Sequence, residues 1–129
     1  PRTRARIADL DWSPPASGRL HLLDPLPYLE TLSLVERASL VITDSGGLQE
    51  ETTYLGVPCL TVRPSTERPI TCVQGTNRLV KAERGMILAA AGEARANGRR
   101  EPRPIERWDG KTADRILDVL LGEASYNDQ

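Results

Sequence analysis

The segment Val41-Ile42-Thr43-Asp44-Ser45-Gly46-Gly47-Leu48-Gln49-Glu50-Glu51 constrains the fold more than any other part of the chain. A short β-branched run, suited to a pleated strand, ends in a polar turn with two adjacent glycines, after which the pattern becomes helical. The helix is expected to run to about Leu55, where Gly56 supplies the C-terminal stop and Pro58 prevents continuation. Cys59-Leu60-Thr61-Val62 reads as the next strand. A β-turn-α-β unit of this kind belongs to a parallel sheet. It sets the glycine turn at the carboxyl end of a strand, where α/β folds build their sites.

The turn also carries chemistry. Unpaired N–H groups at a helix start, together with the positive end of the helix dipole, point at one spot that suits a phosphate. Gly46 and Gly47 permit close backbone approach, and Ser45 adds a hydroxyl. Taken alone, such a turn is more often a tight connection with Asp44 or Ser45 as helix N-cap.

The rest of the chain repeats the alternation. Arg2 to Leu10 is expected to be a helix with Ala5, Ile7 and Leu10 inward, and Ser13 to Gly18 a loop. Leu20 to Leu23 reads as a short strand, Asp24-Pro25-Leu26-Pro27 as a turn, and Tyr28 to Ala38 as a helix burying Leu29, Leu32, Leu34 and Val35. Leu40 to Thr43 is the strand feeding the glycine turn. Arg63 to Pro69, rich in proline and charge, is a loop after a strand's carboxyl end. Arg78-Leu79-Val80 is a candidate short strand, and Met86 to Asn97 is an alanine-rich helix stopped by Gly98. Arg99 to Arg107 is a charged connector before a last helix opened by Gly110-Lys111-Thr112, in which Ile116, Val119 and Leu120 fall at helical spacing. The expected fold is α/β: a parallel sheet covered by helices on both faces.

Composition narrows the function. A chain of 129 residues amounts to one domain, and its net charge of −1 gives no nucleic-acid footprint. No apolar run approaches the ~20 residues needed to span a membrane. The start, Pro1-Arg2-Thr3-Arg4, lacks the apolar core of a signal peptide. Cys59 and Cys72 lack metal-ligand spacing, so no metal is expected, and Cys59 reads as a small strand residue. A reduced, cytoplasmic protein is the default expectation.

The series Thr43-Asp44-Ser45-Gly46-Gly47-x-Gln49-Glu50-Glu51, Leu55-Gly56-Val57-Pro58, Thr66-Glu67-Arg68-Pro69 and Gly75-Thr76-Asn77-Arg78-Leu79-Val80 closely resembles the C-terminal domain of non-hydrolysing UDP-N-acetylglucosamine 2-epimerases. The likeness covers roughly Leu20 to Val80, and more loosely Trp108-Asp109-Gly110 and the final helix. It implies that residues 1–129 form the UDP-binding, Rossmann-like C-terminal domain of a two-domain, GT-B-like enzyme. The chain then begins just after that domain's first strand, without the amino-terminal half.

The resemblance also implies residue roles. Ser45, Gly46 and Gly47 bind the UDP diphosphate, and Arg68 contacts its phosphates, a role that suits a bidentate guanidinium. Glu51, an acceptor-only carboxylate, holds the ribose diol, whereas the bottom-up alternative is that Glu50 and Glu51 simply favour the helix N-terminus. Leu26 and Thr31 line the uracil pocket, or else serve only as turn and packing residues. His21 and Asp109 receive no catalytic role. Ile70-Thr71-Cys72 stands where the family often has Glu-Ala-Val, and Trp108 replaces the first glycine of a Gly-Asp-Gly turn.

The implied reaction interconverts UDP-GlcNAc and UDP-ManNAc by anti-elimination and re-addition of UDP, without a cofactor. Its acid/base groups lie in the amino-terminal half, so no catalytic residue is assigned here. The implied partners are UDP or UDP-GlcNAc, the amino-terminal domain and a second copy of the complete enzyme, with no nucleic acid and no membrane. Two other readings compete: a donor-binding domain of a GT-B glycosyltransferase, and a non-catalytic nucleotide-sugar-binding module.

Overall fold

The computed structural model describes residues 2–13, 15, 18–101 and 105–122. Pro1, Pro14, Ala16 and Ser17, and residues 102–104 of the charged connector, lie outside the described residues. In chain order run α1 (Arg2–Asp9), α2 (Tyr28–Arg37), β1 (Val41–Thr43), α3 (Gly46–Leu55), β2 (Cys59–Thr61), α4 (Pro69–Val73), β3 (Asn77–Leu79), α5 (Arg84–Asn97) and α6 (Thr112–Leu121). The chain divides into two compact units, one ending at Thr31 and the other starting at Leu32.

The second unit holds the sheet. Its strands are parallel in the order β1-β2-β3, with Ile42 opposite Leu60 and Leu60 opposite Arg78. All three residues of β2 are buried, as befits a central strand covered on both faces. Alternation sends Leu60 to one face, against Val80 and Ala90, with Leu40, Ile87 and Ala91 closing that cluster. Cys59 and Thr61 point to the other face, where Gln49, Thr52 and Asn77 are buried. The buried part of the α5 face is therefore apolar, with the exposed Arg78–Glu93 ion pair at its edge, and the α3 face is polar. Burial pushes the Cys59 thiol pKa up, which fits a small, unreactive core residue.

Glycine punctuates the unit as its sequence predicts. Gly56 adopts φ of +68°, and Gly56 N–H and Val57 N–H donate to the carbonyls of Thr53 (3.3 Å) and Thr52 (2.9 Å), which ends α3 in a Schellman turn. Arg99 then covers two helix ends at once, donating to Glu36 O (2.5 Å) and Leu55 O (3.0 Å). A cation at two helix C-termini is favourable both by hydrogen bonding and by the dipole.

Several sequence expectations do not hold. Leu20 to Leu23 carries no strand, and Leu20, Leu22 and Leu23 are exposed. A short extended run needs a hydrogen-bonded neighbour, and among the described residues this one has none. Ile7 of α1 is half-buried, while Ala5 and, just past the helix end, Leu10 are exposed. In α2 Val35 is buried and Leu32 half-buried, but Leu29 and Leu34 face outward. Ile116, Val119 and Leu120 lie in helix α6 as their spacing predicts, and all three are exposed. Helical spacing states which residues share a face, not whether anything covers it. The Arg63–Pro69 loop ends one residue early, because Pro69 takes the first position of α4, where a missing N–H costs nothing.

Gly75 is tightly crowded. A Cβ there would lie 2.4 Å from both Thr71 O and Thr53 Oγ1, and the carbonyl belongs to backbone that cannot swing away. Gly75→Ala is expected to destabilise the chain by about 1–3 kcal/mol in urea denaturation; an unchanged midpoint would mean that the α3–α4 contact is looser than described.

Candidate functional site

The glycine turn starts where β1 ends. Ser45 N–H donates back to Thr43 Oγ1 (3.0 Å), which bends the chain out of the strand. Ser45 takes the N-cap position with extended backbone (φ −77°, ψ 131°), yet its side chain makes no capping hydrogen bond. Ser45 therefore fills the capping position sterically and keeps its hydroxyl uncommitted to α3. The first N–H groups of α3, beginning with Gly46 and Gly47, have no partner within the helix by its geometry.

Arg68 lies directly against this turn. A Cβ on Gly46 would fall 2.6 Å from Arg68 Nη1 and 3.0 Å from Glu67 Oε1, so only glycine leaves room for the guanidinium. Two carboxylates flank it: Nη1 lies 2.8 Å from Glu67 Oε1, and Nε 3.0 Å from Glu50 Oε2. The Glu50 contact is an ion pair with poor alignment, since the buried Nε–H has no well-directed hydrogen-bond acceptor. Glu50, and after it Glu67, hold the Arg68 pKa above its ordinary value. The Glu67 carboxyl is held below its usual range, first by its own backbone N–H and then by Arg63 and Arg68. The result is a fixed cation at a helix start, screened by two movable carboxylates.

The other sequence-predicted residues divide. Glu51 stands four residues after Gly47, on the same side of α3; it is half-buried and forms no ion pair among the described residues. Leu26 and Thr31 belong to the first unit. Leu26 is half-buried there, and Thr31 spends its hydroxyl on Pro27 O (3.2 Å) in the first turn of α2. His21 is exposed. Asp109 accepts hydrogen bonds from Arg115 and from Lys111 N–H, which hold its carboxyl at about 2 and anchor the start of α6. Among the described residues no group of three His, Cys, Asp or Glu could hold a metal ion, and no helix is long and apolar enough to cross a membrane. A cavity of about 290 Å³ lies elsewhere, at the amino ends of β2 and β3, lined by Pro58, Thr76, Asn97 and Arg100.

Sequence reasoning missed Gln49, Thr66, Thr71 and Asn77, which form a polar network beneath the turn. One signal was available. Gln49, Thr52 and Thr53 fall at helical spacing on the face of α3 that must meet the sheet, so a polar inward face was legible.

Comparison with known proteins decides the family. The profile of the family described as UDP-N-acetylglucosamine 2-epimerase matches residues 1–121. The chain belongs to this family. The UDP-N-acetylglucosamine 2-epimerase of Methanocaldococcus jannaschii is 35% identical over 122 residues, which is 93% of this chain and 33% of that protein. A UDP-2,3-diacetamido-2,3-dideoxy-D-glucuronate 2-epimerase of Pseudomonas aeruginosa is 43% identical over 93 residues, covering 70% of this chain and 25% of the relative. The fold matches the crystal structure of the M. jannaschii enzyme in complex with UDP-GlcNAc and UDP, with a TM-score of 0.71 and 33% identity, over 95% of this chain and 34% of that one. The chain thus spans a quarter to a third of the length of these epimerases.

One substitution probes the contact at the heart of the site. Gly46 sits in the first turn of α3 without a positive φ, so Gly46→Ala is expected to shift stability by less than about 1 kcal/mol. It should nevertheless push the Arg68 guanidinium aside, read as a displaced Arg68 Nε–H resonance in NMR. An unmoved resonance would show that the two groups do not touch.

Proposed function

We propose that this chain is the UDP-binding part of a non-hydrolysing UDP-N-acetylglucosamine 2-epimerase, residues 1–129 forming its C-terminal Rossmann-like domain. The observation that carries the reading is the Arg68 guanidinium packed on Gly46 at the start of α3, where a charged fork and helix N-terminal amides converge on one point. The relatives point the same way: their names differ in the sugar and share UDP.

In the proposed reaction the C2 proton is removed and the C1–O bond breaks, its electron pair leaving with the diphosphate. UDP then re-adds, and C2 is reprotonated on the opposite face. Negative charge grows on the departing diphosphate, and donors fixed before the reaction stabilise it without reorganising. Gly46 and Gly47 N–H, the Ser45 hydroxyl and Arg68 are those donors, with Glu50 and Glu67 yielding the guanidinium as the anion enters. Glu51 accepts hydrogen bonds from the ribose hydroxyls, while the resemblance gives Leu26 and Thr31 to the uracil. The groups that move the C2 proton are assigned to another part of the enzyme. The finer reading is a cytoplasmic homodimer that supplies precursors for cell-surface polysaccharide; resemblance to the family supports it.

Calorimetry or NMR titration tests this. The chain is expected to bind UDP more tightly than UMP, and Arg68→Lys to cost about 1–2 kcal/mol of UDP affinity through loss of the fork. Glu51→Ala should weaken UDP more than its 2′,3′-dideoxyribose analogue. The chain alone is expected to form no UDP-ManNAc. Equal binding of UDP and UMP, or an indifferent Arg68→Lys, would overturn the phosphate assignment, and equal losses for the two ligands would remove Glu51 from the ribose.

A further inference from the structure

We infer that the buried amides of Gln49 and Asn77 are positioning residues for Arg68: together with Thr66 and Thr71 they close a hydrogen-bonded ring on the Arg68 backbone. The inference deepens the diphosphate-site reading above and rests on it for its functional meaning.

The ring can be followed atom by atom. Arg68 N–H donates to Thr66 Oγ1 (3.0 Å), and the Thr66 hydroxyl donates to Gln49 Oε1 (2.6 Å). Asn77 Nδ2 donates to the same Gln49 oxygen (3.0 Å) and to Thr71 Oγ1 (3.2 Å). The Thr71 hydroxyl then donates to Arg68 O (2.8 Å), and the ring closes on the residue where it began. Three spurs tie it to the fold: Gln49 Nε2 donates to Ser45 O (3.3 Å), in the glycine turn, Thr61 Oγ1 donates to Asn77 Oδ1 (2.6 Å), in the sheet, and Asn77 Nδ2 also reaches Cys72 Sγ (3.3 Å), in α4.

Its polarity is forced. A backbone N–H can only donate and a carbonyl only accept, so Arg68 N–H turns the Thr66 proton toward Gln49, and Arg68 O draws the Thr71 proton. Gln49 must then present its oxygen to the ring and its NH₂ to Ser45 O. Gln49, Thr61 and Thr71 are fully buried, and Asn77 is nearly so. In that low-dielectric setting a half-made ring would strand polar groups, so the arrangement resists partial opening. The Arg68 side chain leaves the residue whose N–H and C=O the ring captures together, and the same ring holds the carbonyl of Ser45. The turn and the guanidinium are thereby held in one register.

A generic stabilising role and a positioning role are separable. Thr71→Val removes the hydroxyl without changing shape, Thr71→Ser restores it, and Val80→Ala loosens the opposite, apolar face of the sheet as a stability control. In the ligand-free chain, amide exchange at Arg68 is expected to rise roughly five- to tenfold in Thr71→Val relative to the average of the sheet amides. Thr71→Ser and Val80→Ala should leave that ratio at the parent value. Should Thr71→Val fold poorly, Thr66→Val reads the same ring from its other side, through exchange at Thr71. A parent-like ratio in the valine variants overturns the positioning role, whatever the ligand.

With ligand, Thr71→Val should lose UDP affinity roughly fivefold while uridine binding is unchanged, and the loss should vanish in an Arg68→Ala background. Equal losses for UDP and uridine, or full additivity with Arg68→Ala, would also overturn it. If exchange responds as expected but Arg68→Ala leaves UDP binding intact, positioning of Arg68 stands and the diphosphate assignment falls.

Discussion

The site depends on a ring of hydrogen bonds that begins and ends on the backbone of Arg68, passing through Thr66, Gln49, Asn77 and Thr71. Its members come from α3, the loop after β2, α4 and β3, four pieces that no local preference would bring together. Strand alternation turns Cys59 and Thr61 to the face opposite Leu60, and parallel register places Asn77 beside Cys59 on that same face. Gly75 admits the close approach of Thr53 and Thr71 that lets α3 and α4 meet. An apolar core could fill the same space, but it would not orient a guanidinium, because dispersion contacts have no direction whereas hydrogen bonds do.

The electrostatics above the ring follow from this anchoring. Arg68 is charged under all ordinary conditions, and Glu50 and Glu67 lie close enough to reinforce that charge. Both carboxylates are on flexible side chains exposed to solvent, whereas the guanidinium rests on a glycine and its backbone is fixed. On the proposed diphosphate reading, an entering anion competes with two exposed carboxylates for a cation whose backbone is anchored. Preorganisation of this kind lets a leaving group gain stabilisation as its charge develops.

How much of this was legible in the sequence depended on range. The strand, glycine turn, helix and Gly56 stop were readable, because each is set by residues within a turn or two of one another. The Thr-Glu-Arg-Pro motif was readable as a loop carrying a cation, and the structure sets that loop against the glycine turn. The ring was not, since Gln49 and Asn77 meet across 28 residues, and the helical spacing of Gln49 marks an inward face without naming its partner. Ion pairing of Glu50 with Arg68 escaped for the same reason, as the two side chains meet only once α3 and the loop are packed. Leu20, Leu22, Leu29 and Leu34 misled in the opposite direction: their spacing is regular, but exposure is decided by what covers a face, which periodicity does not encode.

The most direct test of the central claim is a titration of the ¹⁵N-labelled chain with UDP, followed residue by residue. The account predicts that the largest shifts fall on the amides of Gly46, Gly47 and Leu48 and on Arg68 Nε–H, as Glu50 and Glu67 yield the guanidinium to the diphosphate. Shifts centred instead on the cavity at the amino ends of β2 and β3, around Thr76 and Asn97, with the glycine turn unmoved, would contradict it.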